Sequence, residues 1–393
     1  MTHKVNSILV LFILALLGIG CSCSNNVEKE VLKASKSWVS NFNMGNITEI
    51  SNAYAEDAIM VAKPFGFFEG KKSIREFWTP FIQSGATNLK YYNAKVAVIN
   101  DTKAILSANW SMNVGNGIIT NETWIKQAGE WKLQEDHFEV KEQFDENGNS
   151  VEMDKKETYV LVHAAWLGAW QWNNVAKFLK GKGHTVITPN LPGHGSDKTI
   201  PAKITMKDYV NTITNILDAQ DEAVVLVGHS FNGITVSRVA ELRPKKVKSL
   251  VYLTAFLLPE GGSFFGAVQG VKGSKAVENF RLSEDKTYAY VEENEIQNAF
   301  AHDIPKEAFD KAKPYIVPEP AAPLSYELET TTDIFGKIPK YYIECTEDRA
   351  IPIEVQRGMY KGKVAKVFTL NSSHTPNFSQ PRKLADILLQ IPK

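Results

Sequence analysis

The second half of the chain, from about Glu157 onward, alternates between short apolar runs and longer amphipathic stretches. The runs have the composition of buried strands, and the stretches between them have the spacing of helices. This alternation predicts the α/β class, with a parallel sheet covered by helices on both faces. Six strands are predicted, near Tyr159, Thr185, Ala223, Ser249, Tyr341 and Lys366.

The alternation lapses between residues 259 and 338, where the chain becomes polar and helix-like. Glu292 to Ala301 and Lys306 to Lys313 are the clearest helical stretches of this segment. An insertion between two sheet strands is typical of a cap that covers the carboxyl edge of the sheet. We therefore predict a helical cap over residues 259–338, and we expect it to set substrate choice.

The pattern before residue 141 is different. Helical periodicity covers Val27 to Asn43 and Lys72 to Ile82, and strand-like segments separated by turn residues follow. This order predicts a separate α+β domain over residues 26–140, with helices first and an antiparallel sheet after them. The predicted strands are Leu89–Ile99, Ala104–Val114, Ile118–Lys126 and Trp131–Val140.

A polar, charge-rich segment, residues 141–156, separates the two patterns. It reads KEQFDENGNSVEMDKK and carries a single aromatic residue, which is typical of a linker. The second domain is therefore expected to occupy residues 157–393.

The first 20 residues have the features of an export signal. Lys4 precedes an apolar run from Ile8 to Ile19, which is short for a membrane span and suits a signal-peptide core. The run ends in LGIGC, which resembles the bacterial lipoprotein box and predicts lipidation of Cys21. Cys23 offers a second register, and a plain secretory signal is the alternative. We expect an exported protein held at the bacterial cell envelope, periplasmic or at the outer-membrane face, by its lipid anchor.

Composition narrows the set of partners. The chain has 44 Lys and Arg against 44 Asp and Glu, so it carries no net charge that favours nucleic acid or an anionic membrane surface. Hydrophobic residues make up 44% of the 393 residues, enough for buried cores in more than one domain. The three cysteines do not indicate a disulfide framework.

The candidate chemistry begins with the sequence GHSFNG at residues 228–233. It lies between an apolar run, Ala223 to Val227, and an amphipathic stretch, Ile234 to Leu242. A strand, a sharp turn and a helix in this order raise a serine hydroxyl above the sheet as a nucleophile. Ser230 is the predicted nucleophile.

A serine nucleophile needs a base to take its proton and an acid to orient that base. On this scaffold the chain order is Ser, then Asp or Glu, then His. His374 follows a strand-like run, whereas His302 lies in a polar stretch with no strand before it, so His374 is the predicted base. Asp348 follows the preceding strand and is the predicted acid, with Glu347 as the alternative.

Acyl transfer also requires two backbone N–H groups that point at the developing oxyanion. One is expected from Phe231, the residue after the nucleophile. The other is expected from the loop HAAWLGAW, residues 163–170, which follows the first strand of the domain. Ala165 is the predicted donor in this loop.

Together these motifs make the region from Glu157 onward resemble the α/β-hydrolase superfamily, in the branch of plant methyl esterases, hydroxynitrile lyases and pyrethroid-type carboxylesterases. The resemblance implies a six-stranded parallel sheet with a cap, and a triad of Ser230, Asp348 and His374. The motifs, in order, are HAAWLGAWQW at 163–172, NLPGHGSD at 190–197, VGHSFNG at 227–233, CTEDRAIP at 345–352 and SHTPNFSQP at 373–381.

The chain departs from this branch at a few positions. Ala164 replaces a usual glycine, Leu167 stands where a second histidine is common, and Asn232 replaces the last glycine of the nucleophile motif. Hydroxynitrile lyases of this type carry a lysine after the catalytic histidine and a threonine after the oxyanion-loop histidine. Here those positions are Thr375 and Ala164, so hydrolysis is favoured over cyanohydrin cleavage.

The first domain resembles the NTF2-like fold of SnoaL-type proteins. The matching motifs are AEDA at 55–58, FEG at 68–70 and GEWK at 129–132. The resemblance implies a cone whose mouth holds a ligand or whose sheet forms a homodimer. No catalytic constellation is evident in this domain.

The sequence therefore predicts an exported, lipid-anchored serine hydrolase of small or medium uncharged carboxylic esters. The reaction runs through an acyl-enzyme on Ser230 and needs no metal or organic cofactor. The partner is the ester substrate, with no nucleic acid. The alternatives are a non-hydrolytic, hydroxynitrile-lyase-like enzyme, or a ligand-binding lipoprotein in which the hydrolase domain is vestigial.

Overall fold

The structure is a computed structural model that describes residues 21–153 and 155–391. The chain divides into two compact units. The first comprises residues 21–62 and 68–153, and the second comprises residues 63–67 and 155–391. The predicted signal peptide, residues 1–20, lies outside the described residues. In the described part, no helix is long and apolar enough to cross a membrane.

The first unit combines helices with one sheet. Its helices are α1 (Cys21–Asn43), α2 (Ile47–Asn52) and α3 (Lys71–Gln83). Its strands are β1 (Tyr54–Lys63), β2 (Gly66–Glu69), β3 (Lys90–Asn100), β4 (Lys103–Met112), β5 (Gly115–Gln127), β6 (Glu130–Phe144) and β7 (Ser150–Val151). The sheet has the order β2-β1-β6-β5-β4-β3, with β7 paired to β6. The pairs from β3 to β7 are antiparallel.

This unit differs from the sequence analysis at two places. The helix α2 and the strands β1 and β2 were not predicted, whereas the two helices and four strands that were predicted are present with small shifts of their ends. The segment 141–156, predicted as a linker, instead begins inside the sheet. β6 continues to Phe144 and pairs with β7, and the exposed, polar side chains of this hairpin gave no strand pattern. The NTF2-like resemblance stays a prediction.

Two carboxylates are buried inside the first unit. Glu122 and Asp136 lie opposite each other on β5 and β6. Glu122 accepts hydrogen bonds of 2.9 Å from the Tyr91 hydroxyl and the Trp124 indole, and Asp136 accepts one of 2.5 Å from the Tyr54 hydroxyl. Burial and then the neighbouring Asp136 raise the pKa of Glu122, and burial raises the pKa of Asp136.

The second unit contains nine strands and eleven α-helices in its described residues. The strands are β8 (Thr158–Val162), β9 (Thr185–Ile187), β10 (Val224–His229), β11 (Val247–Leu253), β12 (Phe280–Leu282), β13 (Tyr288–Val291), β14 (Glu319–Pro320), β15 (Lys340–Cys345) and β16 (Lys366–Leu370). The helices are α4 (Asn173–Gly181), α5 (Met206–Asp218), α6 (Gly233–Leu242), α7 (Phe264–Val268), α8 (Lys275–Glu278), α9 (Ile296–Phe300), α10 (Lys306–Ala312), α11 (Ala321–Leu324), α12 (Ile353–Tyr360), α13 (Pro376–Ser379) and α14 (Pro381–Leu388). Short 3-10 turns cover Ala169–Trp172, Pro201–Lys203, Ser230–Asn232, Pro244–Lys246, Lys313–Tyr315 and Phe335–Lys337.

The main sheet of this unit has six strands in the order β16-β15-β11-β10-β8-β9, and all of its pairs are parallel. The six-stranded parallel sheet predicted from the sequence is thereby confirmed. The central strand β10 is buried on both faces, which agrees with its continuous apolar sequence. Leu226 belongs to the hydrophobic core on one face, and Val225 and Val227 belong to the core on the other.

The register of the parallel strands brings the predicted motifs to one edge. Gly228 on β10 lies beside Val162 on β8, so the turn with Ser230 and the loop after β8 leave the sheet together. Cys345 on β15 lies beside Leu370 on β16, so the segments with Asp348 and His374 also leave together. Crevices at the carboxyl edge of open parallel sheets are the usual ligand sites of this class.

The predicted cap lies between β11 and β15, and it is not entirely helical. Besides α7 to α11 it carries a small antiparallel sheet of β12, β13 and β14. The prediction of a helical cap was therefore incomplete. β14 is two residues long and lies 28 residues after β13, so neither its length nor its neighbours could reveal the pairing.

Candidate active site

Ser230 occupies a sharp turn between β10 and α6. Its backbone φ is +57°, a left-handed conformation that is unfavourable for a residue with a side chain. Two glycines allow the turn to close. A Cβ on Gly228 would lie 2.6 Å from Val236 Cγ2, and a Cβ on Gly233 would lie 2.6 Å from the Phe256 carbonyl oxygen. The serine is thus held in a strained conformation by tight packing on both sides.

Asn232, which departs from the family pattern, has a defined structural role in this turn. Its φ of −72° and ψ of 4° need no glycine. The side-chain Nδ2 donates to the His163 carbonyl oxygen at 2.7 Å, and Oδ1 accepts from the Thr235 hydroxyl at 2.7 Å. Asn232 therefore ties the nucleophile turn to the loop after β8.

His374 and Asp348 form a buried pair. His374 Nδ1 lies 2.6 Å from Asp348 Oδ2, and both side chains are almost fully buried. Because a carboxylate only accepts, Nδ1 carries the proton and donates it to Asp348. The other ring nitrogen, Nε2, is buried and has no hydrogen-bond partner among the described residues. It is therefore free to act as a base toward a group in the cavity beside it.

Asp348 is itself held in place by its neighbours. Its Oδ1 accepts from the backbone N–H groups of Ala350 at 2.7 Å and Ile351 at 2.8 Å. Its Oδ2 accepts from the Thr254 hydroxyl at 2.5 Å as well as from the histidine. Thr254 follows β11 and has a φ of +34°, a second strained backbone at the site. No sequence motif indicated Thr254.

The two alternatives from the sequence lie elsewhere. Glu347 is exposed, whereas Asp348 beside it is buried. His302 has its Nε2 2.8 Å from the Glu347 carbonyl oxygen, to which it donates. Neither residue lines the cavity that contains Ser230 and His374. The geometry therefore favours Asp348 and His374 as acid and base.

The cap holds the loop that carries His374. The Asp303 carboxylate accepts from the Ser373 backbone N–H at 2.9 Å. The Phe300 carbonyl oxygen accepts from the hydroxyls of Ser373 at 3.1 Å and Thr375 at 2.8 Å. The position of the base thus depends on residues that the sequence analysis could place only within the cap.

The orientation of the Ala165 N–H is set by the peptide to which it belongs. The Ala164 carbonyl oxygen, on the same peptide, accepts from His163 Nδ1 at 2.8 Å. A trans peptide directs its N–H away from its carbonyl. The Ala164 N–H donates to Gln171 Oε1 at 3.0 Å, whereas the Ala165 N–H has no acceptor among the described residues. The predicted oxyanion donor is therefore available for a ligand.

The backbone N–H of Phe231 is the second predicted donor. It belongs to the 3-10 turn Ser230–Asn232 that leads into α6. The first N–H groups of a helix have no intrahelical acceptor, and they are suited to a negatively charged oxygen. The backbone N–H groups of Ala165 and Phe231 thus belong to two segments that adjoin at the same sheet edge.

Two buried histidines support the site without taking part in it. Burial, followed by the charge of a neighbouring histidine, lowers the pKa of His163 and of His229 well below the usual range, so both rings are neutral. His229 Nε2 donates to the His374 carbonyl oxygen at 2.8 Å, and Nδ1 accepts from Gln171 Nε2 at 3.0 Å. Gln171 therefore links the oxyanion loop to the loop of the base, a role that sequence reasoning missed.

Two apolar cavities meet at Ser230. The histidine-side cavity has a volume of about 690 Å³ including open space at its mouth, and His374, Ala165 and Phe309 are among its lining residues. The phenylalanine-side cavity has about 520 Å³ on the same measure and is lined largely by aromatic rings. Trp166 and Phe300 border both. The rings that line the second cavity alone are Phe256, Phe264, Phe265 and Phe280.

The lining of the two cavities has no Asp, Glu, Lys or Arg among the described residues. In the same described part of the chain, no group of three or more His, Cys, Asp or Glu side chains could hold a metal ion. Cys345 is buried, and burial raises the pKa of its thiol well above the usual range.

The sheet, the strained serine turn and the buried acid–base pair define an α/β hydrolase. Residues 159–387, more than half of the chain, match the Alpha/beta hydrolase family. The chain belongs to the alpha/beta hydrolase family, and its C-terminal region lies in the methylesterase-like branch of that family.

Several relatives lie in that branch. Methylesterase 7 of Arabidopsis thaliana is 30% identical over 259 residues, which are 61% of this chain and 98% of the relative. For a longer relative of the same plant, putative methylesterase 11, chloroplastic, this chain covers 66% of the length. The crystal structure of a pyrethroid hydrolase from Sphingobium faniae JZ-2 is similar with a TM-score of 0.56 and 26% identity, covering 61% of this chain and 98% of that chain.

Proposed function

We propose that this chain is an exported serine hydrolase that cleaves uncharged carboxylic esters through an acyl-enzyme on Ser230. One observation carries the proposal. His374 keeps its Nδ1 on Asp348 while its Nε2 is buried without a partner, and His374 lines the same cavity as the strained Ser230. An oriented base beside a serine is the arrangement that activates a hydroxyl for acyl transfer.

In the proposed reaction the Ser230 oxygen attacks the ester carbonyl carbon, and His374 Nε2 takes the serine proton. Asp348 stabilises the imidazolium that forms. The carbonyl oxygen becomes an oxyanion that accepts from the N–H groups of Ala165 and Phe231. Collapse breaks the bond to the alcohol, which takes the proton from His374. Water then attacks the acyl carbon while His374 takes a proton from it. The bond to Ser230 breaks, Ser230 recovers its proton from His374, and the carboxylic acid leaves.

The cavities support an apolar substrate on both sides of the ester bond. A charged group placed in either would be desolvated without a partner, since their lining has no Asp, Glu, Lys or Arg among the described residues. His374 lines the histidine-side cavity and not the phenylalanine-side cavity. Because His374 protonates the leaving group, we assign the alcohol to the histidine side and the acyl group to the phenylalanine side. The names of the relatives, methylesterase and pyrethroid hydrolase, are consistent with ester substrates.

The rest of the chain enters the proposal through its sequence patterns. Lipidation of Cys21 would hold the protein at the cell envelope, and removal of residues 1–20 would accompany it. The first unit is proposed to be an NTF2-like domain that binds a ligand or forms a homodimer. Its α+β content and antiparallel sheet are compatible with that assignment.

A fluorophosphonate probe tests the proposal directly, because only an activated serine reacts with it. The wild-type protein should label at Ser230, and Ser230→Ala should not. His374→Ala should lower kcat on p-nitrophenyl esters by roughly 10⁴ to 10⁶, and the double variant should be no slower. His374→Ala with more than about a tenth of wild-type kcat would show that another group is the base.

Substrate choice is tested with p-nitrophenyl esters of increasing acyl length. The proposed acyl assignment predicts that Phe264→Ala raises the preferred acyl length, since a ring is removed from the phenylalanine side. Phe309→Ala, on the histidine side, is the matched control and should leave the preferred acyl length unchanged. The reverse result would exchange the two assignments.

A further inference from the structure

A buried carboxylate from the cap reaches the oxyanion loop. Glu319 lies on β14, and its side chain is fully buried. It accepts three hydrogen bonds, at 3.0 Å from the Trp166 backbone N–H, 2.8 Å from His194 Nε2 and 2.8 Å from the Tyr209 hydroxyl. These donors come from three separate segments of the second unit, so Glu319 joins the cap to the core at one point.

His194 makes this carboxylate half of a buried ion pair. Its Nε2 faces Glu319, and its Nδ1 lies 3.0 Å from the Pro192 carbonyl oxygen. A carbonyl oxygen and an ionised carboxylate only accept, so beside an ionised Glu319 both ring nitrogens donate, which is the arrangement of the imidazolium. Burial alone lowers the pKa of His194, but the charge and hydrogen bond of Glu319 outweigh it and the pKa is raised.

Trp166 is the residue on which this carboxylate acts. Its φ is +63°, a strained conformation for a bulky residue. The cap holds all of its polar groups. Besides the N–H on Glu319, the indole Nε1 donates to the Ala289 carbonyl at 3.0 Å, and the Trp166 carbonyl accepts from the Val317 N–H at 2.9 Å. The strained backbone is therefore fixed from outside its own loop.

The oxyanion donor lies next to this strained residue. Ala165 is flanked by two anchored amides, that of Ala164 on Gln171 and that of Trp166 on Glu319. Gln171 lies seven residues after Ala164 in the same loop region, whereas Glu319 lies 153 residues after Trp166. Without the Glu319 acceptor, the Trp166 N–H would be buried without a partner. The loop would lower this free-energy cost by turning the N–H toward another acceptor or toward water.

We propose that Glu319 is a positioning residue that fixes the Ala165 N–H at the oxyanion site by accepting from the Trp166 amide. The inference rests on the hydrolase function proposed above. Glu319 does not border either cavity. Its effect is expected in the transition state, where the oxyanion forms, more than in substrate binding.

Two substitutions separate this role from a general contribution to folding. Glu319→Gln keeps a carbonyl oxygen for the Trp166 N–H and removes the charge, whereas Glu319→Met keeps the length and removes the acceptor. Glu241→Met is the matched control. Glu241 is also a buried carboxylate that holds the cap, accepting from the Thr331 N–H at 3.0 Å and the Phe335 N–H at 3.0 Å, and neither of these partners belongs to the oxyanion loop.

The test uses the full-length protein, a fluorophosphonate probe and a p-nitrophenyl ester. Glu319→Met should label Ser230 about 10- to 100-fold more slowly and lose a similar factor in kcat, with KM changed by less than about threefold, because only part of one oxyanion donor is lost. Glu319→Gln should recover labelling and kcat to within about fivefold of wild type. Glu241→Met should match the wild-type protein in both.

Three results would overturn the inference: a folded Glu319→Met at the wild-type rate, a Glu319→Gln as slow as Glu319→Met, or a loss that appears only in KM. If Glu319→Met does not fold, the paired variant Glu319→Leu with His194→Leu removes both charges together, which buried pairs tolerate better. That folded pair must show the same slow labelling, and wild-type labelling would refute the role. A wild-type protein that never labels at Ser230 would refute the hydrolase function itself, and this inference with it.

Discussion

The Asn232 side chain donates from Nδ2 to the His163 carbonyl oxygen at 2.7 Å, across the gap between the nucleophile turn and the oxyanion loop. In the sequence, Asn232 stands where the nucleophile motif of the family usually has its last glycine. In the structure it has an ordinary backbone conformation, and it fixes the distance between two loops that must act on the same carbonyl group.

Replacing Asn232 with Gly should therefore harm the enzyme although it restores the family residue. The His163 carbonyl and the Thr235 hydroxyl would both lose a buried partner, at a cost of about 1–3 kcal/mol each at most. Urea denaturation should show a lower unfolding free energy for the second unit, and kcat should fall. Asn93→Gly, at an exposed position with φ of +54°, is the control and should leave kcat unchanged. An Asn232→Gly variant with unchanged stability and kcat would contradict the assigned role.

Asp348→Asn should leave the fold intact and lower kcat by about 10⁴, because the amide no longer holds the imidazole in the required tautomer. The measurement is kcat of the variant and of the wild type on a p-nitrophenyl ester, and circular dichroism checks that the variant is folded. Glu347→Gln alters the exposed neighbour and should stay close to wild type. If Glu347→Gln were the more damaging change, the acid would be Glu347.

The buried pair Glu122 and Asp136 makes the stability of the first unit depend on pH. Burial raises both pKa values in the folded state, so the folded unit binds protons more tightly than the unfolded chain does. The stabilisation that the two carboxyl groups contribute is fully present below about pH 4, where they are protonated in both the folded and the unfolded chain. It is lost as the pH rises through their raised folded-state pKa values. The loss is at most about 1.4 kcal/mol per pH unit for each proton.

Hydrogen exchange of the β5 and β6 amides, corrected for intrinsic rates, measures this dependence. Protection should fall from pH 5 to pH 8 in the wild-type protein, and Glu122→Gln, which cannot ionise, should remove most of the fall. Protection that is constant or rises over this range in the wild type would show that the pair is not protonated in the folded unit.

A truncated protein that begins at Met153 should hydrolyse a small p-nitrophenyl ester with kcat within about tenfold of the full-length protein, a barrier difference of about 1.4 kcal/mol. The reason is that Ser230, Asp348, His374 and both oxyanion donors belong to the second unit. A folded truncation that labels at Ser230 but loses a hundredfold or more in kcat would mean that the first unit completes the site.

The proposed anchor at Cys21 predicts that the mature protein partitions into the detergent phase and that Cys21→Ala partitions into the aqueous phase. Phase separation in detergent, with mass spectrometry of the N-terminal peptide, measures both. Cys23→Ala is the matched control and should remain in the detergent phase. Acylated Cys21→Ala would move the anchor to Cys23.

The sequence was sufficient for those parts of the fold that local patterns encode. The strands β8 and β10 contain continuous apolar runs, and the parallel order of the sheet follows from the alternation of its strands with helices. Ser230, Asp348 and His374 each follow within four residues of the end of a sheet strand, so the sequence could place them at a common edge.

Residues that act through distant contacts could not be predicted in this way. Glu319 lies in a two-residue strand of an irregular cap, and its partner Trp166 is 153 residues earlier. Thr254 and Gln171 are polar residues in turns, where such residues are common for many reasons. Their roles depend on which backbone groups they meet, and that is fixed only when the tertiary structure forms.

The two cavities on either side of Ser230 have a consequence for chiral substrates. They differ in volume and in lining. In the proposed reaction the carbonyl oxygen must point at the N–H groups of Ala165 and Phe231, so one face of the ester carbonyl meets the serine. Under the acyl assignment proposed above, the substituents of a stereocentre beside the carbonyl both lie in the phenylalanine-side cavity, and the two mirror-image forms of the ester place them differently against its rings. Under the proposed function, one enantiomer is therefore hydrolysed faster than the other, and the asymmetry of the pocket becomes a handedness in the product.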